Sequence, residues 1–508
     1  MKQCLILVGL TFTFLAQAYM KDKVYRFTVL HTNDHHGRFW ENAQGELGLA
    51  ARSTLIEKIR KEELAKGHHV LLLDAGDINT GVPQSDLQDA EPDFKGMGLL
   101  KYDAMAVGNH EFDNPVSVIK QQESWAGFPF LSANIYEKKT NKRVFKSHII
   151  KELSDLKIGI FGLTTEDTPL KTNPKHTKDY FFTPAVKEAQ KLVPEIKKEA
   201  DLIIAVTHIG HYPNESQGAD APGDVTLARK VPGINVIVGG HTQKPLFTPD
   251  IQNRTVIAQA YEWGKYVGRL DFEFLNGKLF LKHYELIPIN LQDSKVKIEK
   301  DQKMIDLLTP YKLKGDKNLL DVIGQSELKF DGERDIVRFQ QTNLGRLITK
   351  ATTEKFQTDL SVFNSGGIRF SIPKGPVTFE TLLMVLPFHG EIVTTELTGK
   401  KLKEYLTHAL LNLNPGSGSF PQMYGVSATV KRAEKKVIDL KVNQQKIDDK
   451  KIYKMAIPQF IANGGDKYLP VEYKKYGYTD AEILKEYVQR VKVLKEADYS
   501  KLDDLKFE

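Results

Sequence analysis

Five short apolar runs, each stopped by a cluster of histidine, carboxylate or amide side chains, constrain this chain more than any other feature of its sequence. Residues 26–33 run into Asp34-His35-His36-Gly37, residues 69–73 into Asp74-Ala75-Gly76-Asp77, and residues 104–107 into Gly108-Asn109-His110-Glu111-Phe112-Asp113. Residues 202–206 lead to Thr207-His208-Ile209-Gly210, and residues 234–238 to Gly239-Gly240-His241-Thr242-Gln243. An apolar run of this length closed by glycine reads as a buried strand giving way to a loop. Between them, residues 49–65 carry Leu55, Ile56 and Ile59 among charges, and Thr183-Pro184 opens a stretch with Val186, Ala189, Val193 and Ile196 on one helical face. Thr183-Pro184 is the predicted cap. The alternation predicts an α/β fold whose strand ends share one crevice, where open α/β sheets take their ligands.

The residues delivered to that crevice are Asp34 and His36, Asp77, Asn109 with His110, His208, and His241 with Gln243. A single histidine at a strand end is ordinarily a satisfied or surface residue, but five such ends are a pattern. Oxygen and imidazole donors without sulfur suit Zn, Mn, Co or Fe, and six or seven exceed what one ion with an open position needs. They point to two divalent ions sharing one carboxylate. His110 and Asp113 stand three apart, close enough for the carboxylate to orient the imidazole.

Length and composition set bounds. The 508 residues exceed one core and suffice for two domains, and 41% hydrophobic with 27% charged residues is ordinary globular composition. A formal charge of +6, without a basic run interleaved with aromatics, argues against a polynucleotide partner. Lys2, the apolar residues 4–15 and Ala16-Gln17-Ala18 read as a secretory leader, with cleavage expected after Ala18 and a periplasmic product. Its apolar run of about twelve residues falls short of the ~20 that span a bilayer, and no later stretch is longer, so no membrane anchor is expected. Cys4, the only cysteine, leaves with the leader, so neither a disulfide nor a thiolate ligand is expected in the mature chain.

The motifs DHHG, GD, GNHEFD, THIG and GGHTQ, in this order, resemble those of the calcineurin-like metallophosphoesterases. THIGHYPNESQGADAPGDV and AYEWGKYVGRLDFEF narrow the resemblance to the periplasmic UDP-sugar hydrolase/5'-nucleotidase family, over essentially the whole mature chain. The resemblance implies an N-terminal β-sandwich flanked by helices and a smaller α/β C-terminal nucleotidase domain. It implies that Asp34, His36, Asp77 and Gln243 hold one ion, and Asp77, Asn109, His208 and His241 the other, with Asp77 bridging. It makes His110 and Asp113 the catalytic dyad. Two ions, Zn, Mn or Co, would supply a nucleophile near neutral pH and offset charge on the phosphoryl oxygens.

Residues 296–320 turn charged and are expected as a linker helix between a leader-free metal domain, 19–295, and a substrate domain, 321–508. In the family, rotation about this joint carries substrate toward the metals. Beyond it, Arg334 and Arg338 lie four apart and Arg369 closes Asn364-Ser365-Gly366-Gly367-Ile368. The guanidinium fork matches phosphate, although a lone arginine is more often a surface salt-bridge residue. By resemblance these three hold the substrate's phosphates, Phe388 and Phe460 stack on the base, Asp466 takes the ribose hydroxyls, and Gly418 is a weaker match nearby. Two departures stand out: Gly390 replaces a base-contacting Asn, and residues 244–254 form a shorter, cysteine-free loop. The expectation is a monomeric secreted enzyme cleaving nucleotides and UDP-sugars. The alternatives are a 2',3'-cyclic-nucleotide phosphodiesterase/3'-nucleotidase on the same scaffold, or a nucleotide-binding protein without turnover.

Overall fold

The computed structural model describes residues 19–172, 174–213, 222–317, 319–411, 416–500, 502 and 504–508. The leader, residues 1–18, and the middle of the THIGHYPNESQGADAPGDV motif, residues 214–221, lie outside the described residues.

Tyr25–Thr32 and His69–Asp74 pair in parallel, with Leu30 opposite Leu72 and Thr32 opposite Asp74. Ala104–Ala106 and Phe130–Leu131 extend the sheet on one side, and the antiparallel strands Tyr266–Leu275 and Lys278–Pro288 on the other. A second six-stranded sheet runs in the order Asp250–Gln252, Thr255–Ala258, Val236–Gly239, Leu202–His208, Leu156–Thr164, His148–Leu153. Leu202–His208 is buried at every residue, which requires cover on both faces.

The two-residue period of a strand divides that cover. Val29, Leu71, Leu73, Ala104 and Ala106 meet Ile158, Ile160, Ile204, Val206 and Val238 of the other sheet, forming the interior of a sandwich. Leu30, Leu72 and Met105 point the other way, onto Leu55, Ile56, Ile59, Phe94 and Met97 of the helices Leu49–Ala65 and Glu91–Leu99. On the second sheet's outer face, Ala185–Ile196 buries Val186, Ala189, Val193 and Ile196 as its period requires. Of the expected Thr183-Pro184 cap, Pro184 takes the capping position and the Thr183 side chain caps no helix amide. The Thr183 hydroxyl lies against the Asn134 carbonyl and the Glu188 carboxylate.

The helix Gln302–Asp316 lies within the expected linker and buries Met304 and Leu308 in the helix-covered core of the first sheet. Past it, a five-stranded sheet has the order Pro421–Tyr424, Leu360–Asn364, Ile452–Pro458, Glu391–Thr398, Lys474–Thr479. Asn343–Phe356 and Asp480–Val491 cover one face and Gly399–Leu411 the other. Among the described residues no helix is long and apolar enough to cross a membrane.

Candidate active site

The carboxyl ends of both sandwich sheets open onto one crevice: His208, the last residue of Leu202–His208 in the second sheet, meets the carbonyl of Ala75, just past the end of His69–Asp74 in the first. Asp34, His36, Asp77, Asn109 and His208 are all buried there. Asp34, His36 and Asp77 form one group able to hold a cation, and Asp77, His208 and His241 another, with Asp77 common to both.

Five of the seven expected ligands have left-handed backbones: Asp34 (φ 51°), His36 (52°), Asp77 (61°), His241 (79°) and Gln243 (52°). Non-glycine residues take this region only a few per cent of the time, so the loops are bent to aim these side chains. Glycines make room for them. A Cβ on Gly108 would come within 2.2 Å of Asp77 Oδ1, and one on Gly240 within 3.0 Å of both Asp34 Oδ2 and His208 Nδ1.

Hydrogen bonds then fix which atoms face the centre. His36 Nδ1 lies 2.8 Å from the Thr80 carbonyl and 3.0 Å from that of Asn79, and His208 Nδ1 lies 2.7 Å from the Ala75 carbonyl. Each Nδ1–H is thereby committed to backbone and each Nε2 is left as a donor to metal. The His110 amide donates to Asp77 Oδ1 at 2.8 Å, leaving Oδ2 inside, 2.9 Å from His208 Nε2 and 4.0 Å from the Nε2 atoms of His36 and His110. Asp34 Oδ1, Asn109 Oδ1 and His208 Nε2 are buried with no hydrogen-bonding partner. His208 Nε2 and Asp77 Oδ2 are close but misaligned for a hydrogen bond, as two ligands of one ion would be.

The charge balance agrees with that geometry. Burial opposes a proton on His208, yet Asp77 and Asp34 lift its pKa to about 10, while burial pushes Asp34 up to about 7 against the pull of His208. Burial also disfavours charge on Asp77, but His208, His110 and His36 hold it well below the usual carboxylate range. In a crevice this anionic, a proton on His208 occupies ground that a divalent cation would take. The donor set thus fits divalent metal ions.

His110–Asp113 is a single 3-10 turn in which His110 Nδ1 lies 2.7 Å from Asp113 Oδ2. Burial opposes protonation of His110, and the carboxylates of Asp77 and Asp113 raise it above its ordinary value. Gln243 reaches the site as well. Its Nε2 sits 2.6 Å from His36 Nε2, and its Oε1 accepts from Arg334 Nη1 at 2.8 Å, so in this orientation the amide nitrogen, not the oxygen, faces the cluster.

That last bond crosses to the short helix Arg334–Val337, whose two arginines, Arg334 and Arg338, join Arg369 from the loop after Leu360–Asn364 to form the cationic half of the crevice. Burial, then the repulsion of Arg334 and Arg369, holds the Arg338 guanidinium well below its ordinary pKa, and its Nε is buried without a partner. Three guanidinium groups so placed call for an anion between them. Phe388 stacks on the His110 ring at 5.7 Å with a 23° interplanar angle, and Arg369 lies 5.6 Å from the same Phe388 ring. Phe460 is half-buried against Gly465, and Asp466 Oδ2 accepts from Asn364 Nδ2 at 2.7 Å. Gly418 lies beside Gly366, whose amide donates to the Gly418 carbonyl at 2.8 Å. The turn Thr168–Lys171 of the sandwich packs on Gly465–Lys467, which brings this loop cluster over the metal crevice. Gly390 packs on Asp480, whose Oδ2 would lie 3.2 Å from an added Cβ, so a longer side chain there would press on a buried carboxylate.

Glu111 is the site residue that motif reading passed over. Its carboxylate is fully buried and accepts from the backbone amides of Gly108 (2.6 Å), Ile78 (2.8 Å) and Asp77 (3.0 Å), and from Asn79 Nδ2 (3.2 Å). It ties the Asp77 loop to the Asn109–His110 loop. A carboxylate directly after the Asn-His pair was the available signal.

Comparison with known proteins supplies the family. A sequence profile of calcineurin-like phosphoesterases matches residues 27–245, and one of the 5'-nucleotidase C-terminal domain matches residues 322–472. The chain is 47% identical to Protein UshA of Escherichia coli (strain K12) over 94% of each chain. It is 45% identical to a 5'-nucleotidase of Vibrio cholerae serotype O1, over 93% of this chain and 92% of that one. The crystal structure of a 5'-nucleotidase precursor from Thermus thermophilus superposes with a TM-score of 0.82 at 28% identity, covering 95% of this chain and 99% of that one.

Proposed function

We infer function from the premise that this chain belongs to the 5'-nucleotidase family, with a calcineurin-like phosphoesterase region ahead of a 5'-nucleotidase C-terminal domain. It is a metal-dependent phosphoric ester hydrolase, acting as a 5'-nucleotidase and UDP-sugar hydrolase. The observation that carries the reading is the pair of buried ligand oxygens of Asp34 and Asn109 without hydrogen-bonding partners, beside the close His208–Asp77 pair and facing three mutually repelling arginines.

Asp34, His36, Asp77 and Gln243 would hold one divalent ion and Asp77, Asn109, His208 and His241 the second, with Zn, Mn or Co best suited to the donors. When bound, the ions lower the pKa of water and neutralise phosphoryl oxygens. Arg334, Arg338 and Arg369 bind and orient the phosphate groups, and their charge grows in value as negative charge develops in the transition state. His110, held by Asp113, stabilises charge on the transferred phosphoryl group. Phe388 and Phe460 would bracket the base and Asp466 the ribose, with Gly418 in the adjoining loop. In this arrangement the Phe388 ring rests on His110 instead, so a base would enter by displacing that contact. For Gln243 to be a ligand its amide must turn over, releasing Oε1 from Arg334.

The helix Gln302–Asp316 is the proposed joint between the metal domain, 19–295, and the substrate domain, 321–508. The leader and the periplasmic location are part of the same reading, as is a monomeric state. Purified mature protein given Mn or Zn and then AMP, UDP-glucose and 2',3'-cyclic AMP side by side is the test. Turnover of the first two supports the reading. Turnover of the cyclic nucleotide alone assigns the scaffold to cyclic phosphodiesterase chemistry, and binding without turnover removes the enzyme assignment.

A further inference from the structure

We propose that Thr80 is a positioning residue of the hydrolytic site, its hydroxyl holding the Asp113 carboxylate and its carbonyl holding the His36 ring. The inference rests on the reading of His110 and Asp113 as the catalytic dyad. Thr80 Oγ1 donates to Asp113 Oδ2 at 2.7 Å, the same oxygen that lies 2.7 Å from His110 Nδ1. Two donors on one oxygen pin the carboxylate, since rotation about its Cβ–Cγ bond would break both contacts. Through its backbone, Thr80 also accepts from His36 Nδ1 at 2.8 Å. One residue therefore touches both the dyad and an expected metal ligand.

What singles it out is its backbone. Thr80 has φ 67°, and a β-branched residue is the type least suited to that conformation. Glycine or asparagine would sit there with little strain. Its neighbours leave the turn no freedom to relax. Gly81 follows at φ 152°, where a Cβ would come within 2.9 Å of Arg38 Nη1 and of the His36 carbonyl oxygen. Asn79 before it is tied by its side chain to Glu111 and Gln122. A strained threonine in a turn that glycine would fit is explained by the hydroxyl, which glycine and alanine lack.

The test compares Thr80→Ala, Thr80→Gly and Thr80→Ser in the full metal-loaded enzyme with AMP, reading kcat, KM, metal content and melting temperature. Loss of a hydrogen bond to a charged acceptor should lower kcat in both Ala and Gly on the order of tenfold or more, with KM little changed and the metal content intact. Gly should melt no lower than Ala, because it sheds the strain that Ala keeps. Ser restores the hydroxyl and should stay within about threefold of the parent kcat. A purely structural role predicts instead that kcat follows melting temperature through the series, and that result overturns the proposal. So does parental kcat in Ala and Gly, loss of metal in Ala, or a Ser variant as slow as Ala. Asp113→Ala separates this inference from the reading beneath it. If Asp113→Ala keeps parental kcat, the dyad itself fails; if it is slow while Thr80→Ala is fast, only the Thr80 inference fails. In the double variant, Thr80→Ala should add no further loss to Asp113→Ala.

Discussion

Replacing Glu111 by glutamine probes how much of this site is held by the protein and how much by its ions. The Glu111 carboxylate accepts from the Gly108 and Asp77 amides on Oε2, and from the Ile78 amide with Asn79 Nδ2 on Oε1. Burial, with the charge of Asp77 beside it, pushes its carboxyl up, while those amides favour the ionised form that alone can accept from all of them. Glutamine keeps one acceptor oxygen and turns an NH2 toward two N–H groups. Bonds to a charged acceptor are worth ~1.5–3 kcal/mol each and a buried unsatisfied donor costs ~1–3 kcal/mol, so the substitution should remove about 3–6 kcal/mol. Against a total of roughly 5–15 kcal/mol for a domain, that is a large share. Urea denaturation of metal-free protein measures it directly, and calorimetric titration with Mn should show weakened binding, since the loops bearing Asp77 and Asn109 are no longer tied. A Glu111→Gln protein within about 1 kcal/mol of the parent, with unchanged Mn affinity, would refute the claim that this carboxylate shapes the site.

Three further outcomes are expected. Because Asp77 is common to both ligand groups, Asp77→Asn should lose more metal and more AMP turnover than Gln243→Ala; two retained ions in Asp77→Asn would break the assignment. Phe460→Ala should weaken AMP and UDP-glucose hydrolysis roughly 5- to 150-fold, the worth of ~1–3 kcal/mol of base stacking, and spare an aliphatic phosphate ester; equal losses would make Phe460 a packing residue of the half-buried cluster it joins. Finally, His31 is fully buried with neither ring nitrogen partnered, and burial lowers its pKa to about 3. The unfolded chain, with a pKa of ~6.5, takes up the proton first, so this contribution to stability is complete above pH ~6.5 and falls by about 1.4 kcal/mol per unit as the pH drops toward 3. Parent and His31→Leu should diverge at that slope below pH ~6.5; parallel stability curves would contradict the burial of an uncharged ring.

The strand ends were legible in the sequence because a buried strand must be continuously apolar, and a ligand beyond it interrupts that run where the strand stops. His208 closes a strand buried along its whole length, and Asp34 follows Thr32 by two residues. The interior of the sandwich was less visible. Val29 and Leu30 are equally apolar in sequence, yet one faces the other sheet and the other faces the helices; only the pairing of two sheets decides which. Thr183 has the type and position of a cap, but its hydroxyl is taken by the carbonyl of Asn134 and the carboxylate of Glu188 and caps no helix amide. The same competition for partners hid the roles of Glu111 and Thr80. Their types are ordinary in turns, and what distinguishes them is a backbone bent into the left-handed region at Asp77 and Thr80, with the amides of three separate residues turned inward onto one carboxylate. Neither the bend nor the convergence has a residue-type signature, since glycine, the usual sign of a positive φ, is absent at the positions where a side chain must do chemistry. The contact of Arg334 with Gln243 was hidden for a further reason. It joins residues 91 apart in sequence, one in the loop after Val236–Gly239 and the other on the short helix Arg334–Val337, so it depends on how the C-terminal region is set against the sandwich.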